Sequence, residues 1–226
     1  MAKLLKNTRE NTRTWRQDPE AVKADILRAA RAEFAEHGLS GARVQDIADR
    51  IETSKRMIFY YFTDKETLYR AVLEAAYRQV REGEKALDLA ELPPDRALAR
   101  LVEFTFDHHS NNPEFIRLVM IENIHHGRHL KEAVSLGDTN TSAIEQLEDI
   151  CARGREAGLF RDDVSPLELH WQISAMSFFN VANRTTFALN FGDALFSAEG
   201  QASLRRRAVD SILRSILIKP ETWSAN

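Results

Sequence analysis

A short run of basic and aromatic residues is the part of the chain best suited to contacting another molecule. Lys55 and Arg56 are followed by Phe59 and Tyr60. On an α-helix these four side chains share a face, because residues three or four apart are neighbours. Arginine and lysine can bond guanine edges or phosphates, and an apolar rim can touch a thymine methyl. The run predicts a helix that lies in the major groove of DNA.

Polar residues beside this run could contact the phosphate backbone. Ser54 can cap the helix, whose N-terminal end attracts anions. Lys65 stands at the start of the next helix, and Arg43 stands before the preceding one, so both could pair with phosphates. The predicted DNA contacts are Arg43, Gln45, Ser54, Lys55, Arg56, Phe59, Tyr60 and Lys65.

Apolar periodicity places these residues in a helix-turn-helix. Four apolar residues spaced four apart, from Val22 to Phe34, predict a first helix that ends near Gly38. Two short helices are predicted at about 44–50 and 55–62. Because only a short turn separates them, the second can enter the major groove while the first supports it.

The inner side of the third helix and the start of the fourth complete this unit. Ile58 and Phe62 can pack on the first two helices. Thr63 and Glu66 form a capping box, which predicts a long fourth helix that runs to about Asp88.

The remainder of the chain is also predicted to be helical. It contains no alternating strand pattern, glycine-rich phosphate loop or internal repeat, and its prolines stand where helices could begin or end. We therefore expect an all-α fold of about nine helices. A Rossmann or P-loop enzyme is excluded.

Two late helices are predicted to pair with a second copy of the chain. The helix from Pro166 to about Asn190 is apolar around its circumference and must be covered on all sides, and the last helix spans about 201–218. A two-fold dimer supplies that cover, whereas the alternative is a monomer with one fully central helix. The predicted interface residues are Trp171, Ala175, Val209, Leu213 and Leu217.

Polar residues among the apolar ones of these helices are candidates for a small-molecule pocket, because ligand sites are mostly apolar with few placed polar groups. Each one alone fits a core or interface residue better than a ligand contact, and only the set indicates a pocket. The polar candidates are Asn123, His125, Trp171, Asn180, Asn183 and Arg184, with walls from Phe106, Met120, Phe178 and Phe179.

Glu122, His125 and His129 have the spacing at which helix residues could share a metal ion. A glycine between the histidines weakens a continuous helix, and no clear further ligand follows. Histidines near a carbonyl-rich helix end are the favoured interpretation, also for the pair at 108–109. We predict no metal, no cofactor and no catalytic residue. A metal-dependent helical enzyme that uses this trio is the alternative.

Composition limits the class of protein. With 226 residues and 43% hydrophobic content the chain can bury a sizeable core. Its one cysteine, Cys151, excludes a disulfide scaffold and a cysteine zinc cage. No stretch approaches a membrane span, so we expect a cytoplasmic protein with no membrane partner.

The net charge of −3 hides an uneven distribution. Residues 1–62 carry twelve Lys and Arg against nine Asp and Glu, whereas residues 63–226 carry nineteen against twenty-five. Most of the positive excess lies in residues 1–17. That segment predicts either an arm that contacts nucleic acid or a solvated, flexible tail. The basic front end fits a DNA partner that the total charge alone argues against.

Several spaced motifs resemble the DNA-binding domain of TetR-type transcriptional regulators. They are ILRAARAEFAEHG at 26–38, VQDIA at 44–48, SK at 54–55 with IFYYF at 58–62, and TDKETL at 63–68. The resemblance covers about residues 19–75. After the basic arm at 1–17, it implies a DNA-binding domain at 18–75 with its helix-turn-helix at about 43–62, and an effector-binding and dimerisation domain at 76–226.

The resemblance also implies a function. It is that of a homodimeric repressor, which binds a near-palindromic double-stranded DNA operator and is released by a small-molecule effector. The segment Glu122–Gly127 looks like that of a subgroup that regulates catabolism of pyrimidines and nicotinate-type heterocycles, so an aromatic or heterocyclic effector is implied. A further alternative is an interaction module of the same fold that has lost DNA binding.

Three positions depart from the family pattern. Glu52 stands where the turn commonly has glycine, so either a non-glycine adopts a left-handed conformation or the turn differs. Arg56 replaces a second common glycine and adds a long donor at the DNA face. Ala42-Arg43 replaces a common threonine, which exchanges a hydroxyl contact for a guanidinium contact. The base specificity of relatives therefore cannot be transferred.

Overall fold

The computed structural model describes residues 18–133 and 136–224 and confirms the all-α fold class. The predicted basic arm at 1–17 lies outside these residues. Within the described residues no helix has the length and hydropathy needed to cross a membrane. The described part contains ten helices: α1 (Pro19–Gly41), α2 (Val44–Arg50), α3 (Lys55–Tyr61), α4 (Lys65–Lys85), α5 (Pro94–Asn111), α6 (Pro113–Ile124), α7 (Leu136–Glu156), α8 (Pro166–Ala182), α9 (Arg184–Phe191) and α10 (Ala198–Ile216).

The first three helices and the start of α4 form a small N-terminal domain with its own core. Ile26 and Phe34 of α1 are fully buried there, together with Ile47 of α2, Ile58 of α3 and Leu68 of α4. The apolar stripe of each helix faces this centre, because removing apolar surface from water is the main favourable contribution to folding. The core holds α2 and α3 at a fixed angle to α1.

A second core holds the C-terminal helices together. α5 packs against α7, α8 and α10. Leu98 of α5 is buried in this core with Leu147 of α7, Ile173 of α8 and Leu213 of α10. These four helices form the frame of the C-terminal domain.

Helix α6 joins the two domains. It packs on α1 on one side and on α8 on the other. Leu118 of α6 belongs to the N-terminal core, whereas Phe115 and Ile116 form a third cluster with Ala76 and Val80 of α4. A displacement of α4 or α6 in the C-terminal domain would therefore also displace residues of the N-terminal core.

Two predicted helix boundaries differ from the structure. The start of α4 is capped by Asp64, whose Oδ1 accepts from the Thr67 amide at 2.7 Å, and not by the predicted hydroxyl of Thr63. The single helix predicted from Pro166 to about Asn190 is two helices, since the chain turns at Asn183 between α8 and α9. No proline or glycine marks that turn, and it accounts for ten helices instead of nine.

Candidate functional site

The turn between α2 and α3 uses the left-handed backbone expected at Glu52. This residue has a φ of 53°, which confirms that a non-glycine occupies the conformation where glycine is favoured. The amide of Thr53 donates to the carbonyl of Ala48 at 3.0 Å and closes the turn. The turn places α3 directly after α2, with Ile58 of α3 in the N-terminal core.

The two sides of α3 separate as the sequence predicts. Ile58 and Phe62 are buried against the first two helices, while Lys55, Arg56, Phe59 and Tyr60 are exposed, with Tyr60 80% exposed. Within the described residues neither Lys55 nor Arg56 forms an ion pair with a carboxylate. The helix therefore presents unneutralised positive charge next to two exposed aromatic rings.

The cap predicted for α3 is present. The Ser54 hydroxyl oxygen accepts from the amide of Met57 at 3.3 Å, so the helix begins at Lys55. The helix start is exposed, and its partial positive charge lies on the same surface as the basic side chains.

The flanking candidates have different surroundings. Arg43 and Gln45 are exposed at the start of α2, and the Gln45 amide donates to Asp49 at 2.6 Å. Lys65 is half-buried, because its Nζ donates to the carbonyl of Ala42 at 3.1 Å. Lys65 therefore fastens the start of α4 to the residue after α1, and has further donors for a phosphate.

A buried carboxylate that the sequence reasoning missed positions α2. Glu33 of α1 is 1% exposed; its Oε1 accepts from the Arg43 amide at 3.3 Å and its Oε2 from the Arg50 guanidinium at 3.2 Å. A signal was available, since Glu33 lies seven residues after Ile26 and three after Ala30, on the inward stripe of α1.

The described residues form several cavities in the C-terminal domain, of which three are large. The first, called here the effector cavity, lies between α4, α5, α6 and α8 and has a volume of about 470 Å³. The second, an apolar groove of about 560 Å³, lies between α8, α9 and α10. The third, called the basic cavity, is bounded by α6, α9 and the ends of α5, α8 and α10, and has a volume of about 440 Å³. All three fall in the size range of small-molecule sites.

The effector cavity has aromatic walls and one buried ion pair. Tyr77 and Phe115 meet edge to face with ring centroids 5.2 Å apart. The guanidinium of Arg81 contacts the carboxylate of Glu84, and both side chains are buried. Burial raises the pKa of Glu84 above its usual range, although the nearby Arg81 opposes that rise. A charged or polar ligand would meet both members of this pair.

Buried nitrogens on this wall lack hydrogen-bond partners. They are Nε of Arg81 and Nδ1 of His109. Burial contributes most to lowering the pKa of His109, and the nearby His108, Arg81 and His170 act in the same direction, which together bring it to about 4. His109 lies in the last turn of α5, the helix-end position predicted for it, and with this pKa it is neutral near pH 7. Unpaired buried polar atoms are costly, so a ligand that bonds them gains affinity.

Two family models match the chain. The model described as "Bacterial regulatory proteins, tetR family" matches residues 26–72, and the model described as "Tetracyclin repressor-like, C-terminal domain" matches residues 94–212. The chain belongs to the TetR family. Regulators of this family are in general DNA-binding proteins without enzymatic activity.

Named relatives of this TetR family chain include two repressors. It is 31% identical to the HTH-type transcriptional repressor NicS of Pseudomonas putida, over 88% of this chain and 94% of that protein. It is 32% identical to the HTH-type transcriptional repressor SCO4008 of Streptomyces coelicolor, over 71% of this chain and 79% of that protein.

Solved structures share the fold of this TetR family chain. The ketosteroid transcriptional regulator KstR2 of Mycobacterium tuberculosis has a TM-score of 0.66 and 19% identity, covering 87% of this chain and 95% of the other. The fatty acid degradation regulator FadR of Bacillus halodurans has a TM-score of 0.66 and 17% identity, covering 88% and 96%. At these identities the likeness concerns the fold alone.

The residues predicted to line a single small-molecule pocket are divided among the three cavities. Phe178 and Phe179 show why: consecutive helix positions differ by about 100°, so they lie on different sides of α8. His125 and Asn183 line none of the three cavities, because one is exposed at the end of α6 and the other forms the turn after α8. The effector cavity includes Asn123, Trp171 and Phe178; the apolar groove includes Phe106, Phe179 and Asn180; the basic cavity includes Met120, Asn180 and Arg184.

Three of the predicted interface residues are buried within the chain itself. Val209, Leu213 and Leu217 belong to the C-terminal core. α10 packs on α5 and α8, and also on the short turns at Ala194–Phe196 and Pro220–Thr222. Trp171 and Ala175 of α8 remain accessible, with Trp171 71% exposed.

The metal trio of the alternative interpretation does not assemble. Glu122 is 1% exposed, and its Oε1 lies 3.0 Å from Nδ1 of His129 and accepts from the Tyr69 hydroxyl at 3.0 Å. His125 is exposed and takes no part. Among the described residues no group of three or more His, Cys, Asp or Glu side chains could hold a metal ion. Glu122 instead links α6 to Tyr69 of α4 and to His129, in the segment that follows α6.

Proposed function

We propose that this chain is a ligand-responsive transcriptional repressor that binds a near-palindromic DNA operator as a homodimer and is released by a small-molecule effector. The observation that carries the proposal is the exposed face of α3, where two unpaired cations stand beside two aromatic rings. The family membership and the repressor relatives support it. The expected place of action is the cytoplasm.

The proposed DNA contacts keep the eight residues predicted from the sequence. Arg56 and Lys55 would read base edges, Phe59 and Tyr60 would contact bases or phosphates, and Arg43 would bond the backbone. Gln45, Ser54 and Lys65 would complete the set, with Lys65 partly engaged by Ala42. Since α2 and α3 are held rigidly by the N-terminal core, the contacts would be preorganised.

The proposed dimer face is the outer side of α8. Leu167 and Trp171 are large exposed apolar side chains that lie one turn apart and form an apolar strip there. Met176 and Phe179 are also exposed, but they lie further round α8, along the apolar groove. Soluble monomers rarely present large apolar patches of this kind. A two-fold partner would cover the strip with its own copy.

The proposed effector site is the cavity between α4, α5, α6 and α8. Its walls include residues of α4 and α6, the two helices that also contribute to the N-terminal core. A ligand there would favour one arrangement of these helices over another, and would change the separation of the two α3 helices. DNA requires about 34 Å between half-site centres, or a multiple of it, so a small change weakens binding.

Footprinting on the DNA upstream of the chain's own gene tests this function. We expect a protected near-palindrome at low salt, and its loss when a ligand found by a thermal-shift screen is added. Weak binding to all DNA that does not respond to salt would favour the interaction-module alternative and contradict the proposal. Metal analysis of protein purified without a histidine tag tests the enzyme alternative, which predicts bound metal near one per chain.

A further inference from the structure

The basic cavity carries positive charge that no carboxylate neutralises. Arg117 of α6 and Arg184 of α9 both line it, and none of its lining residues is acidic. Within the described residues neither guanidinium forms an ion pair. By contrast, Arg31 on α1 and Arg205 on α10 each bind a carboxylate. Two unneutralised cations thus share one concave wall.

Two helix starts add charge of the same sign. α6 begins at Pro113 and α9 begins at Arg184, and both residues line the cavity. The residue before each helix makes no side-chain capping bond to the first turn. The first amides of a helix carry a partial positive charge, and an anion nearby is stabilised by it.

Contacts within the protein hold the polar side chains of the basic cavity in place without a ligand. The Arg184 guanidinium lies 5.4 Å from the centroid of the Phe196 ring, a contact that orients the cation without neutralising it. Asn180 and Gln201 bond each other reciprocally at 2.8 and 3.0 Å, and Asn180 donates to Ser110 at 3.4 Å. These amides satisfy one another, so the two arginines supply the cationic donors of the wall, beside the hydroxyls of Ser110 and Thr185.

The rest of the lining is aliphatic. Ile116 and Met120 come from α6, and Val181 and Ala182 come from the end of α8. A volume of about 440 Å³ has room for an organic molecule and is more than a bare inorganic ion needs. The wall is therefore complementary to a ligand with an anionic head next to a short apolar body.

We propose that the basic cavity binds a small aliphatic anion, a carboxylate or a phosphate monoester, whose oxygens accept from Arg117 and Arg184. The site is separate from the effector cavity and has no lining residue in common with it. α6 lines both cavities and packs on α1. An anion in the basic cavity would therefore act on the same helix as a ligand in the effector cavity.

Calorimetric titration of the full chain with four matched six-carbon compounds tests the site. The compounds are hexanoate, hexyl phosphate, hexanol and hexylammonium. We expect the two anions to bind, with affinity that falls as salt is added, and the neutral and cationic compounds to bind at least tenfold more weakly. The ratio between hexanoate and hexyl phosphate distinguishes the two anion sources. Equal binding of hexanol and hexanoate, or no binding of either anion, overturns the proposal.

Single substitutions locate the binding. Arg117→Met and Arg184→Met should each weaken the preferred anion at least tenfold, since each removes a charge-assisted hydrogen bond. Arg78→Met, an exposed arginine of α4 outside the cavity, is the matched control and should leave the affinity unchanged. Wild-type affinity in both cavity variants would show that the anion binds elsewhere and would overturn the proposal.

Operator binding without anion separates this site from the proposed function. Arg117 and Arg184 are exposed side chains away from α3, so both variants should keep the wild-type melting temperature and operator affinity. Failure of the chain to bind any operator would refute the repressor proposal and leave the anion site untouched.

Discussion

Arg56 is the residue on which base specificity depends most in the proposed complex. It stands in the first turn of α3, exposed and without a carboxylate partner. Arg56→Ala should cost about 1–3 kcal/mol on the preferred operator and less on operators altered at the contacted base, which relaxes specificity. Binding curves on an operator series at one salt concentration measure this. An equal loss on every sequence would show that Arg56 contacts only phosphate.

Lys65→Ala is the contrasting substitution. A lysine that contacts phosphate should weaken all sequences about equally and reduce the salt dependence of binding. The bond from Lys65 to the Ala42 carbonyl adds a second expectation, a lower melting temperature, because the start of α4 is released from the end of α1. A change in base preference, with an unchanged salt slope, would contradict the assignment.

His109 makes stability depend on pH. Burial lowers its pKa from 6.5 to about 4, so the unfolded chain binds this proton at a higher pH than the folded one. The free energy of unfolding must therefore fall as pH drops from about 6.5 toward 4. Between pH 7 and 5, the free energy of unfolding of the His109→Gln variant should fall by about 2 kcal/mol less than that of wild type. Urea unfolding at the two pH values measures the difference, and His126→Gln, at an exposed histidine, should leave the loss unchanged.

At the scale of elements, the helix caps and helix ends that depend on nearby residues could be predicted from the sequence. Ser54 caps the helix that follows it, and Gly38 has the positive φ expected where the first helix is predicted to end. The break at Asn183 could not be predicted, since no residue there forbids a helix and tertiary packing decides it. The partition of side chains on α8 among three cavities and a core also depends on neighbours far away in the chain.

Gly154 of α7 is a packing constraint of the same kind. A Cβ at this position would lie 2.0 Å from Cδ2 of Phe160, whose ring is buried. Gly154→Ala should gain about 1 kcal/mol of helix propensity but destabilise the fold by about 1–3 kcal/mol through overpacking, for a net loss. Thermal unfolding measures it. Gly41→Ala, where the nearest atom is 3.4 Å away, is the control that should stay close to wild type.

At the scale of the molecule, one linked set of helices serves both proposed sites. α4 and α6 contribute to the N-terminal core and to the walls of the effector cavity. The buried Glu122 accepts from Tyr69 of α4 and from the amides of His129 and Leu130, which fixes α6 to α4 near the N-terminal domain. We expect a ligand that moves either helix to shift α3, because Leu68 of α4 and Leu118 of α6 lie in the same core as Ile58 of α3.

Dimerisation is the whole-molecule property on which operator binding depends. Leu167→Glu with Trp171→Glu places two charges on the exposed outer face of α8, so the monomer should fold with a melting temperature near wild type while the dimer is weakened. Light scattering should give the mass of one chain for the variant and of two for wild type. Operator affinity should then fall at least tenfold, since each α3 would bind its half-site independently. Ile124→Glu, at an apolar residue of α6 that is 70% exposed, is the matched control. A variant that remains dimeric would place the interface elsewhere.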